Sequence, residues 1–339
     1  MTVTAGLDVG GAHLKIALVD AGRTVAVRQI ACPLWQGLDK LDVALSEASP
    51  LIARASLFAV TMTGELSDLF PDRETGVATL VTRLTKELGD GARFWMGSRG
   101  FGSAVEARRH HADVGSTNFL ATGAFIGREV RDALLIDFGS TTADIILVKA
   151  GAPQPRGTSD AERQITSELV YTGFTRTAVM GVATDVPFRG QSVGLAREYL
   201  ATMADVRRIL GIDLSDVDLH GTADGKGKSL PESVTRLARM LGRDARDGTD
   251  RDWRIAAAHI RELQLRSIHD GAARVLSAAD LPSAFRAVAA GIGADDVAEV
   301  ARRLGCEVIR FGALAKADAA CEAWATACAP AVSVAHLLD

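Results

Sequence analysis

The sequence predicts an α/β protein built from two similar lobes, and three observations carry that prediction. A short stretch recurs: residues 7–22 read LDVGGAHLKIALVDAG and residues 136–151 read IDFGSTTADIILVKAG, matching without gaps at Asp, Gly, Ile, Leu, Val, Ala and Gly. Between the two copies, short apolar runs alternate with stretches of helical periodicity, the pattern of layered α/β proteins. Ala, Gly, Leu and Val dominate while aromatics make up only 5% of residues, a composition suited to tight packing. The 339 residues suffice for two lobes with ample core.

Each copy of the repeat reads as a β-hairpin with a small-residue turn. TAGLDV ends at Asp8, Gly10-Gly11-Ala12 turn the chain, and HLKIALVD returns it. ALLIDF ends at Asp137, Gly139-Ser140-Thr141-Thr142 turn it, and DIILVKA returns it. Small and hydroxyl residues let backbone N–H groups approach an anion without Cβ interference. An Asp at a strand end suits a divalent cation held partly through water, as Mg²⁺ prefers. Two such hairpins facing one another would clamp a polyphosphate from both sides.

The remaining elements follow in chain order. DKLDVALSEA predicts a helix, LFAVTMT a buried strand, and TGVATLVTRLTKELG a helix stopped by Gly89. ARFWMG predicts a short strand, and SAVEARRHH opens with a Ser-x-x-Glu capping box. His110, His111 and Asp113 are better read as a solvated helix end than as metal ligands. From about residue 152 to 280 charged helices take over, in LAREYLATMADVRRILG, SVTRLARMLGRD and DWRIAAAHIRELQLRSIHDGAARVLSA. FRAVAAGIGADDVAEVARRLG predicts a strand passing through Gly291 and Gly293 into a helix, and EVIRFG and KADAACEAWATACA a final strand and helix. The division expected is a first lobe over 1–130 and a second over 131–339, with a helical insertion over about 152–280.

Between two of those helices, residues 220–229 read HGTADGKGKS. Gly227-Lys228-Ser229 imitates the end of a P-loop, but Thr222 stands where its first Gly belongs, and DLSDVDLH is too polar for the strand that should feed it. The stretch reads instead as a mobile loop near a cleft mouth, with Lys226 and Lys228 as candidate contacts to an acidic substrate group.

Several function classes are disfavoured by composition. A net charge of −4 gives no electrostatic case for nucleic acid. No basic-then-apolar leader opens the chain and no apolar run approaches 18 residues, so a cytoplasmic protein without membrane contact is expected. Cys32, Cys306, Cys321 and Cys328 form no CxxC pair and have no His at ligand spacing, which predicts reduced, structural thiols.

With the hairpins in place, the chain resembles the superfamily of sugar kinases, actin and heat-shock chaperones (ASKHA), whose two-lobed actin-like, ribonuclease H-like fold sets one phosphate hairpin on each side of a central cleft. The resemblance implies phosphate contacts from Gly10, Gly11, Ala12, His13 and Lys15 on one side and from Gly139, Ser140, Thr141 and Thr142 on the other, with Asp144 closing the second hairpin. DFGSTTADI is similar to the hydantoinase and oxoprolinase branch. VTMTGELSDLF, STNFLATGAFIG, YTGFTRTAVMG and HGTADGKGKS, in that order, resemble a clade of that branch: tetrahydromethanopterin-linked one-carbon proteins and the methanofuran-precursor synthase.

That clade implies aryl-ether formation between an aminomethyl-furan carbinol diphosphate and the phenol of γ-glutamyl-tyramine, or of a tyrosine analogue, with diphosphate leaving. Asp8 and Asp137 would hold Mg²⁺, and Lys15 would help to stabilise charge on the leaving group. Glu65 is the first candidate for the phenol's base and Asp144 the second, with Glu65 alternatively pairing the furan's ammonium group. Tyr171 and Arg176 would hold glutamyl carboxylates or diphosphate. The hairpins alone also suit two alternatives: an ATP-dependent kinase or hydantoinase/oxoprolinase-like ATPase, and a non-catalytic actin-like nucleotide switch. The expected partners are small-molecule substrates, and the composition is compatible with a homo-oligomer.

Overall fold

The computed structural model describes residues 2–279, 281 and 285–339. In the first lobe, β1 (Val3–Val9), β2 (His13–Asp20), β3 (Arg23–Ala31), β4 (Leu57–Met62), β5 (Arg93–Trp95) and β6 (Phe101–Gly102) form one sheet in the order β3-β2-β1-β4-β5-β6. The second lobe has β7 (Ala133–Phe138), β8 (Ala143–Lys149), β9 (Ala152–Pro153) and β10 (Leu169–Val170), then a separate hairpin of β11 (Asp185–Phe188) and β12 (Gln191–Gly194). β13 (Arg286–Ala290) and β14 (Glu307–Arg310) complete its sheet in the order β10-β8-β7-β13-β14, with β9 also paired to β8. In each sheet an antiparallel hairpin comes first, and a later parallel strand then adds to the hairpin's first strand. The sequence repeat is thus a repeat of topology.

Why these strands are continuous apolar runs follows from their position. β1 and β7 lie inside their sheets and are covered on both faces, so both side-chain rows need apolar residues. On β1, Leu7 and Val9 join a core with Leu41, Leu45, Val77 and Leu80 from the helices Asp39–Ile52 and Arg73–Leu88. The helix Ala329–Leu338 packs directly on β1 at Gly6, where a Cβ would stand 2.0 Å from the Ala331 carbonyl oxygen. That terminal helix, counted with the second lobe in the sequence division, therefore lies on the first lobe's sheet. In the second lobe, the helices Asn118–Glu129 and Asp250–Ser277 pack against β8.

The insertion has a core of its own around Val186, Phe188, Met203, Leu237 and Trp253. β9, β10 and the helix Asp160–Thr166 fall inside the span assigned to it from sequence, yet β9 and β10 pair with β8 in the main sheet. LAREYLATMADVRRILG is not one helix: only Met203–Ile209 is helical, started where Thr202 N–H donates to the Asp205 carboxylate at 3.1 Å. The terminal KADAACEAWATACA helix is likewise shorter, running from Glu322 to Ala327, and Cys328 then breaks it from the next helix, which carries Pro330 in its first turn. The long predicted helices fall where the periodicity puts them, including Arg73–Leu88 ending at Gly89 with φ +83°, whereas the helices Asn118–Glu129 and Asp160–Thr166 are not predicted from the sequence.

A buried polar network ties the helix Met203–Ile209 to the helices Asp250–Ser277 and Ala294–Arg303 and to Thr172 and Gly173. Arg207, fully buried, donates to Asp296 at 2.8 Å and to Gln264 at 3.0 Å, and its guanidinium lies 3.7 Å from the centre of the Phe174 ring. Gln264 in turn donates to Thr172 and to the Gly173 carbonyl, both at 2.8 Å. Removing one partner from such a pair strands the other charge and costs about 3–5 kcal/mol.

Candidate active site

The two hairpin turns face each other across a cleft of about 530 Å³. Their geometry is the same. Gly10 N–H donates to the His13 carbonyl at 2.9 Å, and Gly139 N–H to the Thr142 carbonyl at 2.9 Å. In each turn two carbonyls accept backbone bonds from a following segment, with only Gly11 and Ser140 at matching positions. In the first lobe Leu34 and Cys32 donate to Gly11 and Ala12, and in the second Phe174 and Arg176 donate to Gly139 and Ser140. Among the described residues, the N–H groups of Gly11, Ala12, Ser140 and Thr141 donate to no backbone carbonyl. The turns therefore offer the cleft donors, the arrangement an anion requires.

Charge at the strand ends differs between the lobes. Asp8 faces Lys15 across the β1–β2 ladder and pairs with it at 3.2 Å, whereas Asp137 faces Asp144 across β7–β8. Asp144 is engaged by Arg163 at 2.5 Å, a buried guanidinium that also lies over the Phe119 ring. Burial works against the charge on Lys15, but Asp8, Cys328 and Asp137 outweigh it and hold the ammonium above its ordinary pKa. Burial raises Asp137 to about 7, with Lys15 pulling it down and Asp144 and Asp8 pushing it up. Oδ1 of Asp8 is buried without a hydrogen-bond partner among the described residues.

Of the other sequence candidates, Tyr171 and Arg176 line the cleft and Tyr171 is exposed there. Arg176 donates to Thr141 Oγ1 at 3.2 Å and lies 4.8 Å from the centre of the Trp35 ring, joining the lobes at that end. Glu65 is buried behind the cleft wall; Ser116, which does line the cleft, donates to its Oε1 at 2.6 Å. Desolvation raises Glu65 to about 7, against the Ser116 hydrogen bond. Asp144 lines the cleft with its carboxylate already engaged by Arg163.

Lys226 and Lys228 are outside the cleft lining. Lys228 bonds Asp218, at 2.5 Å to its carbonyl and 3.5 Å to its carboxylate, and Lys226 is exposed. Their loop is pinned rather than loose: Arg236 binds Asp224 at 3.0 Å, and Ser229 caps the helix Leu230–Met240 with Glu232. The residue that reaches the first hairpin is His220, with its ring centre 4.7 Å from that of His13 and 5.2 Å from that of Trp35. Burial holds His13 well below its ordinary pKa and His220 at about 4, so both are neutral at pH 7.

Sequence reasoning did not single out Trp35, Ser116, Arg163 and His220: Ser116 and His220 open the quoted stretches STNFLATGAFIG and HGTADGKGKS, but the four meet only through folding. Gly291 and Gly293 stand, as the sequence predicts, in the turn from β13 into the helix Ala294–Arg303. These glycines press on the second hairpin: a Cβ at Gly291 would lie 2.3 Å from the Phe138 carbonyl oxygen, and one at Gly293 as close to the Phe138 ring. Among the described residues, neither lines the cleft.

Residues 57–332 match the model of the hydantoinase/oxoprolinase family. The chain belongs to that family. A relative from Methanocaldococcus jannaschii, named (4-{4-[2-(γ-L-glutamylamino)ethyl]phenoxymethyl}furan-2-yl)methanamine synthase, is 32% identical over 70% of this chain and 71% of its own length. A protein of the same name from Methanococcus vannielii is 30% identical over 35% of this chain and 54% of its own. Among solved structures, nucleotide-free acetone carboxylase superposes with a TM-score of 0.51 at 13% identity, over 97% of this chain and 70% of that one. With the duplicated hairpin-first sheets, that likeness gives this hydantoinase/oxoprolinase-family chain the two-lobed ASKHA fold. None of its helices, among the described residues, is long and apolar enough to cross a membrane.

Proposed function

We propose that this protein is an aryl-ether synthase, joining an aminomethyl-furan carbinol diphosphate to the phenol of γ-glutamyl-tyramine or a tyrosine analogue and releasing diphosphate, in methanofuran or methylofuran biosynthesis. The observation that carries the reading is the pair of donor turns facing one cleft, in a chain 32% identical to a synthase whose name describes the ether product. Cleavage of a furfuryl C–O bond leaves positive charge that the electron-rich ring stabilises, so the costly charge is that gathering on diphosphate. Free turn N–H groups, Lys15 and Arg176 oppose it, the kind of fixed donor whose loss costs about 10²–10³ in rate. Exposed Tyr171 and Trp35 offer the cleft flat apolar faces for the rings.

The residues present also fit a divalent cation. Unpartnered Asp8 Oδ1 and the Asp137 carboxylate both belong to the cleft. A hydrated Mg²⁺ held by these two carboxylates and by substrate phosphate matches that donor set. Bound there, it would supply further charge neutralisation to the diphosphate.

The test is a condensation without nucleotide. Incubating the protein with the furan diphosphate, γ-glutamyl-tyramine and Mg²⁺ should yield ether and diphosphate in equal amounts. Product that forms only after ATP is added would replace this reading with an ATP-dependent one.

A further inference from the structure

Ser116 stands in the cleft wall in a conformation its side chain disfavours. Its φ is +54°, a region rarely adopted by residues other than Gly, Asn and Asp. The surroundings impose it: Ser116 N–H donates to the Met62 carbonyl at 3.1 Å, and Gly115 forms a parallel bridge to the same residue at the end of β4. The result aims the Ser116 hydroxyl at Glu65, whose Oε1 accepts from it at 2.6 Å.

Glu65 is enclosed on its other sides. A Cβ at Gly115 would lie 2.9 Å from Glu65 Oε1, and one at Gly76 would lie 2.6 Å from the Glu65 carbonyl oxygen. The second carboxylate oxygen, Oε2, is buried and has no partner among the described residues. The carboxylate therefore meets the cleft through the Ser116 hydroxyl.

We propose that Ser116 and Glu65 form a proton relay that removes the acceptor's phenol proton, with Ser116 touching the phenol and Glu65 receiving the proton behind it. This rests on the ether-synthase reading above. As the phenol oxygen bonds to the furfuryl carbon, the bond from that carbon to the diphosphate oxygen breaks and its electron pair leaves with diphosphate. The phenol proton passes to Ser116 Oγ, and the proton Ser116 carried passes to Glu65 Oε1. After the products leave, Glu65 returns the proton to water by the reverse path.

The electrostatics suit a base for work near neutrality, since burial lifts Glu65 to about 7 and so makes it a stronger acceptor than a solvated carboxylate. Two charges act on it across the cleft mouth: Arg73, which lowers its pKa, and Asp160, which raises it, and these pair with each other at 3.2 Å. On the short helix before Ser116, Asp113 is taken up by Arg99 at 2.6 Å, and His111 acts on Asp72. Asp144, the other carboxylate considered for this role, is held by Arg163.

The experiment compares wild type with E65Q, S116A and S116G, using γ-glutamyl-tyramine and ring-fluorinated analogues whose phenols are progressively more acidic. S116G removes the hydroxyl where glycine adopts the backbone freely, so loss of fold in S116A does not stop the test. The wild-type rate should rise with pH through neutrality, and E65Q should lack that rise. On the parent phenol each variant should lose about 10²–10⁴-fold in kcat, the range of general-base catalysis, with donor KM little changed. The most acidic phenol should recover most of that loss. A loss that stays constant across all acceptors, or one below about threefold, overturns the relay while leaving the ether-synthase reading intact. Absence of ether from the wild type overturns both.

Discussion

Asp8 and Asp137 occupy equivalent strand ends, yet a single residue across each ladder gives them different settings. Lys15 faces Asp8, while Asp144 faces Asp137 and is itself engaged by Arg163. Burial raises Asp137 to about 7, with Asp144 adding to the shift, and burial raises Glu65 likewise behind Ser116. In the unfolded chain these groups titrate at their ordinary values of 3.8 and 4.5. Between those values and neutrality the native state binds more protons than the unfolded state, so the stability these groups contribute is full in acid and is lost as pH rises to about 7. D137N should flatten the fall in urea midpoint between about pH 4 and pH 7, and E65Q should flatten it too. A wild-type slope retained in both variants would mean that neither carboxyl is held up by its setting. Asp8 and Asp137 could be picked out from the repeat, since hairpin turns are local. Ser116 could not, because its meaning depends on a bond across 51 residues of sequence.

At the scale of elements, the stretch HGTADGKGKS shows where local reading stops. Its glycines and lysines suggest a mobile, anion-seeking loop, but buried Arg236 fixes Asp224 and Lys228 is spent on Asp218. What connects this loop to the site is His220, its ring tilted against those of His13 and Trp35. Ring pairs of this kind contribute about 0.5–1.5 kcal/mol, so H220A should lower kcat/KM by up to about tenfold and raise proteolytic nicking around 220–228. K226A and K228A should leave turnover within about twofold of wild type, since exposed pairs contribute little. A larger loss in the lysine variants than in H220A would reverse these assignments. The Leu195–Gly211 stretch teaches the same lesson, because its apolar spacing serves an extended segment and a short capped helix rather than one long helix.

At the scale of the molecule, the cleft is a contact surface between lobes, joined at its two ends in different ways. One end carries Arg176 over Trp35, with His220 on the first hairpin, and the other carries the half-exposed pair Arg73–Asp160 at 3.2 Å. An ion pair so open to water contributes no more than about 1 kcal/mol. R73A should therefore raise donor KM by up to about fivefold with kcat nearly unchanged, and should increase the radius of gyration of the ligand-free protein in small-angle scattering. A fall in kcat at constant KM would instead place Arg73 at the reacting groups.

By itself the sequence determined the α/β class, the two hairpins with Asp8 and Asp137 at their strand ends, the Gly89 stop and the Ser103 capping box. All of these are governed by contacts within a few residues, where spacing, turn chemistry and caps act directly. Only the tertiary structure decided that the terminal helix returns to β1, that β9 and β10 belong to the main sheet, and that Gly291 and Gly293 pack under Phe138. It also decided that Glu65 meets the cleft through Ser116. These facts depend on which distant surfaces bury one another, and burial is set by the whole chain closing on itself, a quantity no local window of residues contains.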